Sequence, residues 1–586
     1  MRVRLSLENS LYLLAFAAAL LLRLVGLGAA PLNDSEAQWA VQAVELGNGV
    51  TSVGAQPGYV VLTSLLFKFF PSTNAAARLI PALLGSLIVF LPALLRAAGN
   101  RLNFPRLAAV ALAFGLAIDP TLAVSARQIG SPTLALTCTF LALAAMLAQR
   151  PILAGVFGGL AILGGPGTLH GLLGLALAYG LAKLLEKADW LAPLSNSADG
   201  LPESEAAEET AQNKARLRTG LYAGGATILI AGTLFLAYPL GLSGLAASLT
   251  SFINGWVTVS AVSPLAPLAA LAIYETLPLL FGTIGLLVGL ARRNGLVQRL
   301  SLWLLTAFVL AIVYPARQVV DLVWALVPLW GLAALGLEWV FLRDSEEKGI
   351  RWVAFSHALF LFVLLAILRL NLLGWQNSAI GGGITIGLVV GIVLMGAVAT
   401  AMVAVGWSAR TAIDGLAGAL VAGGLVSMMA ATFWGTVGNP IRASSYELWD
   451  TIPMAGHADL LNDTLEQLSV AKTGLSHQID ILATVDTPSM RWLLRNFPNT
   501  RFTAQLAVTE QPSIVITAQD ETDLQGSTSY RGQDFAWEAY PAWQGPLPPA
   551  WLNWLAFRDA PLAKSNVILW ARADLFPDSV SVSEGQ

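Results

Sequence analysis

Thirteen apolar runs, separated by short joints rich in charge, Pro or Gly, fill the first three quarters of this 586-residue chain. They are Ser10–Ala30, Asn74–Leu95, Pro105–Ala117, Pro132–Leu147, Ile152–Leu163, Leu169–Leu185, Thr219–Leu240, Leu271–Leu290, Leu300–Val313, Val319–Leu342, Trp352–Leu372, Gly381–Trp407 and Thr411–Trp434. A helix needs about 20 apolar residues to cross a bilayer, so residues 1–435 read as a bundle of about 13 transmembrane helices. Only 12% of the chain is charged and its mean hydropathy is +0.66, whereas soluble chains carry about 25% charge. The net charge of −3 gives no basic field for nucleic acid. A single cysteine, Cys138, rules out an internal disulfide. With four scattered histidines it offers no zinc motif.

Met1-Arg2-Val3-Arg4 before the first run has the look of a signal peptide's basic start. The run is too long for one, and Pro31-Leu32-Asn33-Asp34 follows it rather than a small-residue cleavage site. We read a retained first span with its N-terminus in the cytoplasm. Cations then fall at alternate joints, as the positive-inside rule requires. Arg96, Arg101 and Arg106 share one inner joint; Arg150 another; Lys183, Lys187, Lys214, Arg216 and Arg218 a third. Arg292, Arg293 and Arg299, then Arg343, Lys348 and Arg351, then Arg410 continue the series. The outer joints hold only Lys68, Arg78, Arg127 and Arg317. An odd number of spans places residues 436–586 outside the cytoplasm. Residues 186–218 form an inner linker, Ser/Ala/Glu-rich over 195–212 and expected to be unstructured.

Residues 436–586 have ordinary soluble composition. Gln478–Val485, Arg501–Val508 and Pro512–Thr517 read as strands and Pro488–Asn496 as helix, which predicts a small α/β layer. Trp537, Trp543, Trp551 and Trp554 belong either to its core or to a face on the membrane.

Carboxylates are rare in the membrane half, so Asp34 and Glu36, directly after the first span, stand out. Asp34 is expected to cap an interfacial helix within residues 31–56, with Glu36 in its first turn and Leu32 and Trp39 stapling its start. A plain capped helix on the membrane surface is the simpler reading. Against it, Arg78, Arg127 and Arg317 recur at the same level. Arginines bind phosphate bidentately, and a carboxylate can take a proton from an acceptor hydroxyl. Each arginine alone reads as well as a side chain snorkelling to headgroups. Asp321 is placed to pair with Arg317 at i,i+4 spacing. His170 and Tyr314 are supporting candidates near the same joints, and His170 reads more simply as a structural histidine. Gly164-Gly165 marks a helix break, and Lys68 and Glu275 have no evident partner.

These segments resemble the GT-C membrane glycosyltransferases, near the protein mannosyltransferase and aminoarabinose transferase branch. The resemblance rests on the acid motif after the first span, the Pro-led piece Gln56-Pro57-Gly58-Tyr59 to Phe67, and Ala77-Arg78-Leu79-Ile80-Pro81-Ala82-Leu83-Leu84-Gly85. It extends through Asp119-Pro120 to Ala126-Arg127 and Tyr314 to Val327-Pro328-Leu329, covering roughly the first 340 residues. Where the family commonly has adjacent Asp-Glu, Ser35 separates Asp34 from Glu36. The resemblance implies a polyprenyl-phosphate sugar donor, an inverting displacement on the outer face, Asp34 as base and Glu36 as its support. It also implies Arg78, Arg127 and Arg317 as phosphate contacts, a protein, lipid or glycan acceptor, and no obligatory metal. The other readings are a non-catalytic protein that binds or helps export lipid-linked glycan, and a transporter, for which no internal repeat is found.

Overall fold

The structure, a computed structural model, describes residues 6–49, 53–99, 104–188, 191, 203–341, 348–375, 382–438, 446–449, 458–504, 511–519 and 529–576. Arg101, Arg343, the linker stretch 195–202 and the strand stretch 505–508 lie outside them. All thirteen apolar runs form helix, but not all are long enough to span. Among the described residues eight helices have the length and apolarity to cross a membrane. A ninth span results if Ala266–Tyr274 and Thr276–Ala291, which meet at 91°, are counted together. Arg106–Ile118, Thr133–Leu147 and Pro151–Ile162 have 13, 15 and 12 residues. At ~1.5 Å per residue they reach only about 18–23 Å, short of a core of about 30 Å. The run expected at 219–240 forms the second half of the helix Glu203–Gly232. That helix also takes in the linker from Glu203 onward, where loop was expected, because Glu and Ala are strong helix formers.

The helix Val323–Phe341 is buried almost throughout and forms the axis of the bundle. Its neighbour Thr276–Ala291 approaches it through glycines. A Cβ on Gly285 would meet the Leu332 carbonyl at 2.1 Å, and one on Gly336 the Phe281 carbonyl at 2.2 Å. Without a hydrophobic drive between helices in lipid, such backbone contact is what holds them. We expect Gly336→Leu to destabilise the protein by at least the ~1–3 kcal/mol typical of overpacking. Gly225→Leu, at a glycine with nothing within 4 Å, should leave the melting temperature in detergent unchanged. Equal melting temperatures for the two variants would refute this packing.

The first helix, α1 (Leu7–Leu24), leads through residues 25–33 to α2 (Asp34–Gly47); α3 (Pro57–Phe69) and α4 (Asn74–Ser86) follow. At the start of α1, Glu8 pairs with Arg96 at 2.6 Å and with Arg106 at 4.0 Å. At the end of Pro166–Lys187, Glu186 pairs with Lys183 and Arg299. These cation-rich joints lie at the end of the bundle remote from α2.

The C-terminal domain is built on a five-stranded sheet: β1 (Ile481–Ala483), β2 (Thr500–Phe502), β3 (Ile514–Ala518), β4 (Tyr530–Pro541) and β5 (Leu562–Arg572), in the order β2-β1-β3-β5-β4. β1 pairs in parallel with β2 and β3, and β5 runs antiparallel to β3 and β4. The short buried run at 481–483 and the helix Pro488–Leu493 fall where the sequence places them; the long β4–β5 pair was not anticipated. The tryptophans divide between two cores. Trp537 lies in the sheet's own core with Phe535 and Ile516. Trp554 is fully buried in the core of the bundle, and Trp543 packs against it. Trp551 is exposed.

Candidate active site

The first acid motif forms a helix start, one residue earlier than expected. Asn33 is the cap of α2, and its side chain accepts the Glu36 N–H at 2.9 Å. Asp34 is thereby released from capping its own helix and is half-buried. Its Oδ1 accepts the backbone N–H of Ser489 at 2.9 Å, in the first turn of the helix Pro488–Leu493. Among the described residues its Oδ2 makes no hydrogen bond.

Glu36 is 3% exposed and Arg78 7%. The guanidinium Nε donates to Oε1 at 2.9 Å, and a second, short contact joins Nη2 to Oε2. Arg78 also donates to the carbonyls of Leu27, Ala30 and Pro31, and Glu36 Oε1 accepts the N–H of Ile129 at 3.1 Å. This fork therefore ties together the α1–α2 link, α2, α4 and the joint after Arg127. Both carboxylate oxygens of the expected supporting acid are taken by protein donors.

The other two arginines also serve backbone. Arg127 donates to the carbonyls of Leu22, Arg23, Val25, Gly26 and Thr436. These include carbonyls that the end of α1 leaves without intrahelical partners. Burial first, and the neighbouring charge of Arg78 second, push the Arg127 guanidinium down to about 10. Arg317 donates to the carbonyls of Val262, Ile312 and Tyr314. Its expected pair with Asp321 does not form. Gln318 is extended, and residues 319–322 make a 3₁₀ turn in which Asp321 instead accepts the Gln318 N–H at 2.8 Å. An i,i+4 pair between Arg317 and Asp321 requires a continuous α-helix, which the chain does not form there. His170 and Tyr314 do meet, ring edge to ring face at 5.2 Å, with both His170 nitrogens lacking a hydrogen-bond partner among the described residues. Lys68 donates to the Tyr238 hydroxyl at 2.8 Å.

A cavity of about 540 Å³ lies between the bundle and the C-terminal domain, and Ser489, the partner of Asp34, is part of its lining. The bundle contributes Pro31, Leu32 and Asn74; the domain contributes Asp459, Asp463, Ser489, Trp492, Arg495 and Trp537. The seam beside the cavity is bonded from both sides. Trp492 Nε1 donates to Asn74 Oδ1 at 2.8 Å, and Arg495 Nε donates to the Ser72 carbonyl at 2.9 Å. Glu538, on β4, is near enough to Asp34 for the two charges to interact; burial first, then Asp34, raise its carboxyl above the usual range. The Asp459 carboxyl is likewise raised by burial and by Asp463 one turn away.

A second buried polar group was missed by sequence reasoning. Glu275, at the 91° break, accepts the Thr121 hydroxyl at 2.6 Å beside Asp119, which accepts Trp330 Nε1 at 2.7 Å. Thr121 also accepts Trp449 Nε1 at 3.2 Å. Next to Trp449, Glu447 accepts the Tyr274 hydroxyl at 2.6 Å and lies 3.1 Å from Arg558 of the C-terminal domain. The only sequence signal was a lone acid in an apolar run, which is expected to find a partner inside the bundle.

The chain is similar in structure to ArnT from Cupriavidus metallidurans. The undecaprenyl phosphate-bound crystal structure superposes at TM-score 0.50 with 16% identity, over 95% of this chain and 97% of that one. The apo structure superposes at 0.53 with 18% identity, over 96% and 98%. The oligosaccharyltransferase of Archaeoglobus fulgidus gives 0.44 with 14% identity, over 85% and 64%, too low to bear on the fold. No protein-family profile and no curated protein sequence matches the chain. At these identities the likeness shows the fold: a multi-pass helical membrane protein with the ArnT architecture, C-terminal mixed sheet included.

Proposed function

We propose that the chain is a glycosyltransferase that takes a sugar from a polyprenyl-phosphate donor at the end of the bundle carrying the C-terminal domain. The observation that carries this reading is Asp34, half-buried and held by one oxygen on Ser489, a residue that lines the interdomain cavity, while its other oxygen makes no hydrogen bond among the described residues. The ArnT fold supports it, one of those structures being bound to undecaprenyl phosphate. In the reaction the free oxygen of Asp34 accepts the proton of an acceptor hydroxyl. The acceptor's hydroxyl oxygen, as it loses that proton, bonds to the anomeric carbon with inversion, and the bond from this carbon to the phosphate oxygen breaks, its electron pair leaving with the lipid phosphate. Arg127 favours the departing anion by charge rather than by contact, since its donors already hold carbonyls, whereas the charge of Arg78 is met by Glu36. The segregation of cations to the far end of the bundle supports a cytoplasmic N-terminus and an outward-facing site in the cell membrane.

The test is transfer of labelled sugar from a panel of polyprenyl-phosphate sugars by purified protein. We expect transfer by the wild type and unchanged transfer in EDTA, since the proposed step uses no metal. A rate that falls to background in EDTA and returns with a divalent cation would sink the metal-free form. One observation favours a second reading, that of a non-catalytic binder of lipid-linked glycan: both oxygens of Glu36 are locked in the fork with Arg78 and Ile129. Saturable donor binding without turnover across the panel would select it.

A further inference from the structure

Two acids that the proposed reaction does not use are hydrogen-bonded to each other in the interior. Asp119 stands at the joint between Arg106–Ile118 and Pro120–Ser125, and Glu275 at the 91° bend between Ala266–Tyr274 and Thr276–Ala291; both are fully buried. Two carboxylates in direct contact cannot both keep their charge, so one of them holds a proton. The groups around them decide which. Asp119 accepts the Leu122 N–H through Oδ1 and the Trp330 indole N–H through Oδ2, each at 2.7 Å. The charge of Arg23, itself fully buried on the carbonyls of Ala19, Leu116 and Ala117, also reaches Asp119. All of these favour a carboxylate. Glu275 Oε1 accepts the Thr121 hydroxyl at 2.6 Å, with the Thr121 N–H close by. Its Oε2 accepts no hydrogen bond from an N–H or a hydroxyl among the described residues.

Charge balance gives the same answer. Arg23 offsets Asp119, and Glu447 and Arg558, 3.1 Å apart, offset each other. Arg369, from the helix Lys348–Trp375, reaches Arg558 and not the acid pair. An ionised Glu275 would add a buried anion with no cation to meet it, which is strongly unfavourable. The pair is also joined to the C-terminal domain. Thr121 accepts Trp449 Nε1 at 3.2 Å, and the Trp449 ring stacks on Tyr274 at 3.7 Å. The Tyr274 hydroxyl donates to Glu447 at 2.6 Å, and Glu447 faces Arg558 at the end of the helix Trp551–Phe557.

We propose that Glu275 is a proton-binding site: Oε2 carries a proton and donates it to Asp119, and this shared proton holds the bend closed and, through Thr121 and Trp449, holds the C-terminal domain on the bundle. When the proton passes to water, two facing anions are left against the single charge of Arg23, and the bend is driven away from Asp119. The unfolded chain ionises both acids above about pH 5. The native protein therefore binds one proton more than the unfolded chain, and its stability falls as pH rises. The inference goes beyond the sugar-transfer reading and does not depend on it.

The experiment takes infrared spectra of the full-length protein in H2O and D2O, where the C=O stretch of a carboxylic acid is distinct from a carboxylate and moves on deuteration. At neutral pH we expect such a band in the wild type and its loss in Glu275→Gln, whose amide still accepts from Thr121 and donates to Asp119. Thr121→Val keeps the shape and removes the hydroxyl on Oε1, so it should shift the same band to higher frequency. That shift assigns the band even if Glu275→Gln fails to fold. Thermal unfolding between about pH 6 and about pH 9 is the second readout. The wild-type unfolding constant should rise about tenfold per pH unit relative to Glu275→Gln, as one proton requires. Asp119→Asn should be the less stable variant at every pH, because its amide nitrogen would face the N–H of Leu122 or of Trp330. At the alkaline end, backbone hydrogen exchange over residues 551–558 should be faster in the wild type than in Glu275→Gln. A band unmoved in Thr121→Val or still present in folded Glu275→Gln overturns the site, as do parallel pH profiles. Asp119→Asn tolerated and Glu275→Gln not would overturn the assignment of the proton to Glu275. Equal exchange over 551–558 overturns its hold on the domain.

Discussion

Asp34→Asn is expected to lower sugar transfer by about 10²–10⁴-fold, the range a positioned general base contributes. It should do so without loosening the seam between the domains. The distinction is built into the geometry. The asparagine side-chain oxygen can still accept the Ser489 N–H that Asp34 Oδ1 now holds at 2.9 Å, since Asn and Asp serve equally as acceptors at a helix start. What the variant removes is the basicity of the second oxygen. Asp34→Ala removes both, so it should match Asp34→Asn in rate and fall below it in melting temperature. The measurement is single-turnover transfer for both variants beside thermal unfolding of each. A fully active Asp34→Asn would end the case for this residue as the base.

Glu36→Ala is expected to be the most destabilising single change near the site. Arg78 would keep its charge in a pocket where it is 7% exposed, and breaking one side of a buried pair costs about 3–5 kcal/mol. The Arg78 donors to Leu27, Ala30 and Pro31 remain, so the arginine cannot simply swing out to solvent without uncovering three carbonyls. Replacing the pair together by Leu and Met should recover part of the loss and not all of it, because the ion pair would be gone but the carbonyls would be bare. Thermal unfolding in detergent of the two single variants and the double one gives the coupling. Additive losses would mean that the fork is not a unit. It follows that inactivity in a Glu36 variant says nothing about chemistry unless the protein is shown to be folded.

The bundle was legible in the sequence because lipid admits few solutions. Apolar length and alternating charge at Arg96, Arg292 and Arg410 carry that information directly. The α/β tail was partly legible, since β1 and β3 are short buried runs bounded by turns. The site was less so. Arg78, Arg127 and Arg317 were noticed for their rarity and level, and a phosphate was inferred to explain them. Carbonyls explain them too, and a carbonyl has no signature in sequence, as every residue carries one. The same limit hid the partner of Glu275, a threonine 154 residues away. Where spacing alone was used, as for Arg317 and Asp321, it failed because it presumed a helix that the chain does not form there. The cap of α2 shifted by one residue for a smaller reason: Asn33 and Asp34 are equally good caps, and the one left over became available to Ser489.

That last contact joins residues 455 positions apart, and it bears on how the protein is made. The loop holding Asp34 enters the membrane among the first segments to leave the ribosome, yet the partners that seat it, at 489–495, are synthesised after every span is complete. Until then the acid loop and the 72–74 turn face water with their contacts unmade. Any truncation before residue 489 leaves Asp34 without the Ser489 partner that holds it, so the proposed transfer is expected only in chains whose synthesis has reached the far domain.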